Sequence, residues 1–260
     1  MQKRHTNRTC YFNEQAYTTK KYYIPYFKKH IQEKPEKVLE VGCGEGGNLL
    51  PFAQAGCKVT GIDLARTRIE QAEIFFKEQK EEGSFININI LEMEGHEHSY
   101  PLIIAHDVIE HINDKLSFLL QLKNHLTPDG VIFIAFPAWR MPFGGHQQIA
   151  KGKIISHLPF IHLLPIPIYK LVLKLFNEKE NVIKELLAIR SSRCSIQPFI
   201  KQTKQAGYKI INQQFYFINP NYETKFGLKP LKLYSLIARS PYIRDFFCTS
   251  CFYLLQQENT

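Results

Sequence analysis

The feature that most constrains this chain is a glycine-rich turn directly after a short apolar strand. Residues 37–41 predict a buried strand, and Gly42, Gly44 and Gly47 follow it at G-x-G-x-x-G spacing. Glycines in such a turn let a ligand approach the backbone where a Cβ would collide. Asp63 ends a second predicted strand about 20 residues later, where a carboxylate reaches ribose hydroxyls. The pattern predicts a nucleotide-type site.

Strand and helix patterns alternate around this turn. We predict strands over 37–41, 58–63, 85–90, 102–105, 131–136, 208–218 and 249–256, and helices over 48–54, 67–81, 116–125 and 196–206. Thr127-Pro128-Asp129-Gly130 has the composition of a turn. Alternating strands and helices predict an α/β fold whose sheet is mainly parallel, with right-handed crossovers.

The regular pattern is interrupted in two places. Residues 1–36 predict a helical lead-in with an aromatic face, and residues 138–193 an insertion rich in proline, glycine and aliphatic residues. We therefore divide the chain into the lead-in 1–36, a nucleotide-binding domain formed by 37–137 and 194–260, and a substrate-side insertion or lid at 138–193. The stretch 219–247 receives no predicted role.

Composition narrows the class of protein. With 260 residues, 44% hydrophobic and 22% charged, the chain is typical of a globular protein. The net charge of +9 is spread along the sequence, which argues against nucleic acid as partner. No apolar segment follows the polar first residues, so we predict a cytoplasmic protein. Prolines interrupt 154–176, which argues against a membrane-spanning helix, although the segment could lie on a membrane or cap a pocket.

The cysteines predict no metal site. Cys248 and Cys251 form a C-x-x-C pair with no second pair and no nearby histidine ligands, and we interpret both as strand residues. The other four cysteines are scattered, which does not suggest a disulfide framework.

Glu40 separates two classes of cofactor. The glycines and Asp63 fit NAD equally well, but a carboxylate at the mouth of the turn would repel a dinucleotide's pyrophosphate. A sulfonium cofactor with an ammonium group has the opposite charge. The segments VLEVGCGEGG, VTGIDLA, LIIAHDVIEHI and LTPDGVIFIAFP, in this order over Val38 to Pro137, resemble the class I S-adenosylmethionine-dependent methyltransferases.

The resemblance implies a Rossmann-like, mainly parallel seven-stranded sheet with helices on both faces, the last strand antiparallel, plus a helical lid insertion. It also implies that S-adenosylmethionine is the cofactor, with the methionine end at the turn, Asp63 on the ribose and Leu64 on the adenine. Asn89 stands where the family often has an acidic residue near the adenine amine. His106 would lie beside the cofactor. The residues that the resemblance places at the cofactor are Glu40, Gly42, Cys43, Gly44, Asp63, Leu64, Asn89 and His106.

Structural interpretations of the same residues stay open. Gly44 and Gly47 could serve a tight turn only, and Asp63 could cap the next helix. Asp107 could be a helix N-cap, with Glu110 completing a capping box.

Methyl transfer from a sulfonium needs alignment more than acid or base, because the leaving group is already activated. For a hydroxyl acceptor a histidine could take the proton, and the candidates are His146, which we favour, then His111 and His106. His146 follows the fifth predicted strand, at the edge where α/β sheets bind ligands. Trp139, Arg140 and Phe143 in the same segment predict a substrate wall beside a Gly144-Gly145 hinge. His146 could instead only order its loop, and Arg140 could pair with a surface carboxylate.

We therefore predict an S-adenosylmethionine-dependent methyltransferase that acts on a small-molecule acceptor, with oxygen as the favoured atom and a sugar, quinone-like or lipid-linked acceptor. The alternatives are an RNA or protein methyltransferase, a non-catalytic S-adenosylmethionine-binding module, and an NAD-binding protein. The chain lacks an Asn/Asp-Pro-Pro-Tyr/Phe tetrad after the fourth predicted strand, which argues against methylation of nucleic-acid amino groups.

Overall fold

A single twisted sheet organises the protein. The computed structural model describes residues 7–31 and 33–258. Eight strands lie in the order β3-β2-β1-β4-β5-β8-β6-β7. Their bounds are β1 Lys37–Val41, β2 Lys58–Asp63, β3 Ser84–Asn87, β4 Tyr100–His106, β5 Leu126–Phe136, β6 Tyr208–Ile218, β7 Leu231–Lys232 and β8 Ser250–Gln257.

Most of the sheet is parallel. Strands β1 to β5 pair in parallel, whereas β8 runs antiparallel to both β5 and β6. The carboxyl ends of β1, β2, β4, β5 and β6 therefore meet at one edge, which we call the carboxyl edge. The predicted fold class is confirmed, and β7 adds a short eighth strand beyond the seven predicted.

The helices up to residue 79 lie on one face of the sheet. Before β1 come α1 (Arg8–Thr18), a π-helical turn (Thr19–Tyr23) and α2 (Ile24–Lys28). Helix α3 (Leu50–Ala53) follows the glycine turn, and α4 (Arg66–Gln79) follows β2. Their apolar side chains pack on the sheet with Val38, Phe133 and Phe252.

The opposite face is covered by two helices from later in the chain. Helices α5 (Lys115–His125) and α8 (Ile196–Gln205) bury Phe118, Leu122 and Phe199 against Ile132 and Tyr253. Along the chain, α6 (Ile166–Leu175) and α7 (Glu180–Ser192) come between these two helices. The last connection contains α9 (Tyr222–Phe226), α10 (Ser235–Arg239) and α11 (Arg244–Phe247). The sheet is thus covered on both faces, as predicted.

The insertion at 138–193 has a small core of its own. Short 3-10 turns at Gln147–Ile149, Ile155–His157 and Ile161–Leu163 precede α6 and α7. Ile155, Tyr169, Leu173 and Leu186 are buried together there. Within the described ranges, no helix is both long and apolar enough to cross a bilayer. The use of this segment as a lid stays a prediction, as does the division into domains, part of which (residues 1–6, 32, 259 and 260) lies outside the described residues.

Several predicted boundaries differ from the structure. Strand β3 ends at Asn87, because the Asn89 side chain accepts a hydrogen bond from the Leu91 N–H and starts a 3-10 turn at Ile90–Glu92. The predicted turn at 127–130 lies inside β5, since Leu126 already pairs with Tyr100. The predicted helix 48–54 is only one turn long, Leu50–Ala53.

The capping box proposed for Asp107 and Glu110 is wrong. Asp107 has a left-handed backbone with φ of 55°, which an N-cap residue does not adopt. Only a 3-10 turn at Ile109–His111 follows it. The N-cap of α5 is Asp114, whose side chain accepts from the Ser117 N–H at 3.0 Å.

Candidate functional site

The glycine turn is held tightly against the end of β2. The N–H groups of Gly42 and Cys43 donate to the Ile62 carbonyl at 2.8 and 3.0 Å. Gly42 and Gly44 have φ values of 70° and 54°, a region that side chains disfavour. A Cβ on Gly42 would overlap the Val108 side chain, which comes from the loop after β4. Glycine is therefore required at Gly42 for both conformation and space.

Glu40 places an acid at the root of this turn. Its side chain is buried, and Oε1 accepts a 2.7 Å hydrogen bond from the Asn48 amide, which in turn accepts from Thr19. Oε2 has no hydrogen-bond partner among the described residues. Burial, reinforced by the nearby Asp63 charge and opposed by Asn48, raises the pKa of Glu40 to about 8. Near neutral pH this acid is therefore largely protonated, and a nearby cation would favour its ionised form.

Asp63 lies on the other side of the turn. Its two carboxylate oxygens accept from the backbone N–H groups of Gly44, at 3.0 Å, and Ala65, at 2.8 Å. Each oxygen retains a further lone pair toward solvent, because Asp63 is only half-buried. Leu64, the next residue, is 72% exposed, so its apolar side chain is open to solvent. The Asn87 amide donates to the Asp63 carbonyl at 2.9 Å, so Asn87 fixes this corner.

His106 ends β4 and is held by residues from two distant segments. Tyr23 Oη lies 2.8 Å from His106 Nε2, and Asn221 Nδ2 lies 3.3 Å from the same nitrogen. Tyr23 also donates to Asn221 at 3.2 Å. Both His106 and Tyr23 are buried. The structure thus engages His106 in a closed hydrogen-bonded cluster beside the turn.

The other two candidate histidines meet one buried acid. The rings of His111 and His146 lie edge to face with centroids 5.1 Å apart. Glu110 Oε1 lies 3.9 Å from His111 Nε2, and neither carboxylate oxygen of Glu110 has a hydrogen-bond partner among the described residues. Burial, reinforced by Asp107, raises the pKa of Glu110 well above its usual range, and partial desolvation lowers that of His111. His111 is therefore neutral near pH 7 and can accept a proton.

These three residues could also hold a cation. One ligand atom from each of Glu110, His111 and His146 lies within 4.8 Å of the others. The sequence predicted no metal site, and its spacing gives no sign of this group, because His146 comes from a different loop. Imidazole nitrogens with one carboxylate are ligands typical of divalent transition metals.

The predicted substrate residues do not form one wall. Trp139 and Arg140 line a cavity of about 480 Å³, together with the start of α8 and Tyr242, but Phe143 and His146 are not among its lining residues. Arg140 Nε lies 3.9 Å from Asp245 Oδ2, and its guanidinium stands 5.7 Å from the Phe246 ring centre. Arg140 therefore faces a buried carboxylate of the chain itself, and not the surface carboxylate that was considered for it.

The expected Gly-Gly hinge is a closely packed corner. A Cβ on Gly144 would overlap the Trp139 carbonyl, and one on Gly145 would overlap His162. His162 is buried, its Nε2 donates to the Trp139 carbonyl at 2.8 Å, and its ring lies edge to face with the Trp139 ring. The two glycines serve close packing here, not motion.

The turn and its surroundings fit an adenosyl cofactor with a cationic end. Gly42, with a left-handed backbone, is the partly exposed residue of the turn, Asp63 offers lone pairs for two hydroxyls, and Leu64 presents an exposed apolar side chain for a base. The orphaned Oε2 of Glu40 suits a positive charge and opposes a pyrophosphate. Cys43 is buried under the turn with its thiol directed inward, so only its backbone can take part.

Sequence reasoning missed the residues that support this site from a distance. Tyr23, Asn221 and Asn48 fix His106 and Glu40, yet they lie 83, 115 and 8 positions away from the residues they contact. The aromatic run 22–27 was a usable signal, although it predicted packing only. No local pattern marks Asn221.

Comparison with known proteins gives a consistent result. The family described as "Methyltransferase domain" matches residues 12–159, which is more than half of the chain. The chain is 32% identical over 110 residues to the ubiquinone biosynthesis O-methyltransferase of Rickettsia akari (strain Hartford), covering 42% of this chain and 43% of that protein. It is 31% identical over 146 residues to the protein of the same name from Histophilus somni (strain 2336), covering 51% and 59%.

A solved structure has the same fold. The magnesium protoporphyrin IX methyltransferase of Synechocystis PCC 6803, solved with bound SAH, superposes with a TM-score of 0.55 at 14% identity, over 94% of this chain and 84% of that one. The matched regions of the two ubiquinone-related proteins amount to about half of their length.

Proposed function

Because this chain belongs to the methyltransferase-domain family, we propose that it transfers a methyl group from S-adenosylmethionine to a hydroxyl oxygen of a small-molecule acceptor. The observation that carries the proposal is the pair of carboxylates around the glycine turn. Glu40 accepts from Asn48, which follows the turn, and Asp63 accepts from the Gly44 N–H within it. The names of the matched relatives, ubiquinone biosynthesis O-methyltransferases, support oxygen as the methylated atom.

Each end of the cofactor has its own residues in this proposal. Asp63 accepts hydrogen bonds from the ribose hydroxyls, and Leu64 packs against the adenine, with Asn89 nearby. Gly42, Cys43 and Gly44 offer backbone to the methionine end, and Glu40 balances its positive charge. The Tyr23–Asn221 pair holds His106 at the boundary between cofactor and acceptor.

The cofactor supplies an activated methyl group, so the protein has to align the acceptor and receive its proton. We assign proton removal to the His111–His146 pair, whose rings are in contact above Glu110. A neutral His111 accepts the proton from the acceptor hydroxyl as the new bond forms. The charged imidazolium is then stabilised by Glu110, which gives up its own proton to solvent more readily beside a cation.

The apolar surface of α6 favours a lipid-linked or quinone-like acceptor. Ile166, Ile168, Leu171 and Leu175 are each about half exposed or more on this helix, and Lys170 and Lys174 are exposed between them. An amphipathic helix of this kind lies in the plane of a bilayer surface. We propose that α6 meets the membrane from which such an acceptor is taken.

The first experiment is calorimetric titration of the protein with S-adenosylmethionine, SAH and NAD. We expect the first two to bind and NAD not to bind. Asp63→Asn should weaken both by at least tenfold, because it removes the charge but keeps an oxygen for the Gly44 N–H. Asp129→Asn, at an exposed position within β5, is the matched control. Binding of NAD, or equal affinities in the Asp63 variant, would contradict the proposal.

The role of the histidine pair is tested on the methyl-transfer rate. Replacing His111 or His146 by Gln should lower kcat by about 100-fold, with little change in cofactor affinity. The wild-type rate should rise on the acidic side, as the pH increases through the lowered pKa of His111, and the His111 variant should lose this rise. A chelator separates the base from the metal alternative. If added EDTA abolishes transfer and Mg²⁺ or Zn²⁺ restores it, the three residues act as ligands and the base assignment is wrong.

A further inference from the structure

The connection between α9 and β8 exposes apolar side chains that a folded protein normally buries. Residues 226–247, which we call the arm, carry nine large apolar side chains at the surface. The most exposed are Tyr234, Leu236, Tyr242 and Ile243, each with 55–67% of its surface accessible. Exposed apolar side chains concentrated in one segment mark a contact with a partner or a membrane.

The arm is a folded platform and not a loose loop. Leu233 is buried and its N–H donates to the Phe215 carbonyl at 2.9 Å, while Ile237 and Ala238 pack against the main core. Arg244 is buried with its guanidinium 4.8 Å from the Phe215 ring centre, and it donates to the Ala238 carbonyl at 3.1 Å. A few inward side chains therefore hold the remaining apolar ones outward.

The charges of the arm are of one sign at the surface. Lys229, Lys232 and Arg239 are exposed. The only acidic residue of the arm, Asp245, is buried and accepts a 3.0 Å hydrogen bond from the Ile196 N–H. The arm therefore presents aliphatic and aromatic groups mixed with cations and without an exposed anion.

The arm is placed beside the candidate site. It follows β6, whose carboxyl end lies at the carboxyl edge. Asn221, just before the arm, contacts His106, and Phe246 within it lies against Arg140. A surface that rests on the arm would thus face the mouth through which an acceptor enters.

We propose that the arm binds the interface of an anionic lipid bilayer, with its apolar side chains among the acyl chains and its three cations at the lipid phosphates. This inference deepens the proposed function, on which it rests for the purpose of the contact. It adds a second surface to α6, from a separate part of the chain.

Charge complementarity favours an anionic bilayer over a second copy of the chain or a nucleic acid. In a symmetric dimer the arm would meet its own copy, which would place basic residues against basic residues. A nucleic acid would leave the aliphatic side chains of Leu236 and Ile243 without an apolar partner. Anionic lipid satisfies both the apolar and the cationic groups.

The test is co-sedimentation of the full chain with phosphatidylcholine vesicles, with and without phosphatidylglycerol. We expect binding to the anionic vesicles that weakens with added salt. Replacing Lys229, Lys232 and Arg239 by Gln should lower partitioning by about 100-fold, since each cation near an anionic surface contributes roughly fivefold. A second variant, Tyr234→Ser with Leu236→Ser and Ile243→Ser, should lower it at least as much, because it removes the inserted groups.

Matched controls use residues far from the arm. Lys37, Lys58 and Lys77 are exposed near the opposite edge of the sheet, and their replacement by Gln should leave partitioning unchanged apart from net charge. Ile74→Ser with Leu120→Ser removes two apolar side chains of similar exposure on α4 and α5. Ile168→Ser with Leu171→Ser tests α6 separately.

The outcomes distinguish the arm from the proposed function. Arm variants should still bind S-adenosylmethionine and methylate a water-soluble acceptor. Vesicle binding that is lost in the arm variants supports the arm even if the protein binds no S-adenosylmethionine. Equal partitioning of wild type and arm variants, dependence on α6 alone, or a dimer in sedimentation equilibrium that the arm variants abolish would overturn the inference.

Discussion

At the scale of single residues, the site depends on an acid that the fold keeps neutral. Glu40 is buried at the root of the glycine turn with one oxygen unpartnered, and its pKa is raised to about 8. The folded state therefore prefers the protonated acid, whereas the unfolded chain ionises near the ordinary value of 4.5. The stability from this preference is complete below pH 4.5 and is lost as the pH rises through about 8.

Glu40→Gln should remove this pH dependence. The amide keeps an oxygen for Asn48 and never ionises. Relative to wild type, the variant should gain stability on the order of a few kcal/mol between pH 5 and pH 9. Urea unfolding at both pH values measures the difference. Parallel stability profiles of the two proteins would show that Glu40 titrates normally.

Gly42 gives a second prediction at this scale, because conformation and space can be separated. Gly42→Ala should destabilise the protein by about 2–4 kcal/mol, from a left-handed backbone and an overlap with Val108. Gly227 has the same φ of 70° with nothing near its missing Cβ, so Gly227→Ala should cost only about 1 kcal/mol. Adding Val108→Ala to the Gly42 variant should recover part of the loss in thermal or urea unfolding. If the two alanine substitutions lowered the free energy of unfolding equally, the overlap with Val108 would contribute nothing.

Much of the local chemistry could be predicted from single residues, and some could not. The glycines and Asp63 can be recognised from their spacing and from their position at the ends of predicted strands. Asp107 was misjudged, because a sequence pattern suited to a capping box does not reveal a φ of 55°. The contacts of Glu110 with His111 and His146 depend on where two separate loops are held, which no local pattern records.

At the scale of helices and strands, a segment distant in the chain caps the start of a helix. Helix α8 has no side-chain cap from its own N-cap residue, Ser195. Asp245 of the arm supplies the missing acceptor to the Ile196 N–H and also faces Arg140 at 3.9 Å. The start of α8 and the end of the arm are therefore stabilised together.

Asp245→Ala should thus lower the free energy of unfolding by more than the removal of an ordinary helix cap does. We expect a loss of about 2–3 kcal/mol, because the buried Ile196 N–H loses its acceptor and Arg140 loses its counter-charge. Asp114→Ala removes the exposed local cap of α5 and should cost about 1 kcal/mol. Urea unfolding of the two variants provides the comparison, and a smaller loss for Asp245→Ala than for Asp114→Ala would contradict this account.

The central strands were predictable at this scale, whereas the internal packing of the insertion was not. Buried runs such as Leu102 to Ala105 are recognisable as central parallel strands, and β7 was missed because two exposed residues form no pattern. The sequence located the insertion by its prolines. It could not show that His162 and Trp139 close that segment into a packed corner.

At the scale of the whole molecule, the first described segment and the site form one unit. Arg8 pairs with Glu45, Thr19 bonds Asn48, and Tyr23 meets His106, so the helices before β1 contact the turn along its length. The family match over residues 12–159 includes most of this segment and confirms the predicted resemblance.

Hydrogen exchange should reveal this coupling. Without ligand, amides of β1, β4 and β5 should exchange slowest, because these strands lie in the centre of the sheet. Adding SAH should slow exchange in the turn 42–47 and also in 8–31, because this segment packs directly against the turn. NAD should change neither. Protection confined to 42–47 would show that the two segments are not coupled.

The position of β8 has a consequence for how the protein is made. Although β8 comes last among the strands, it lies between β5 and β6 and bonds to both. During translation, β5 and β6 each have one unpaired edge until residues 250–257 have left the ribosome. A message or chain that stops short of β8 would release a product with two open strand edges, which chaperones must hold or proteases remove.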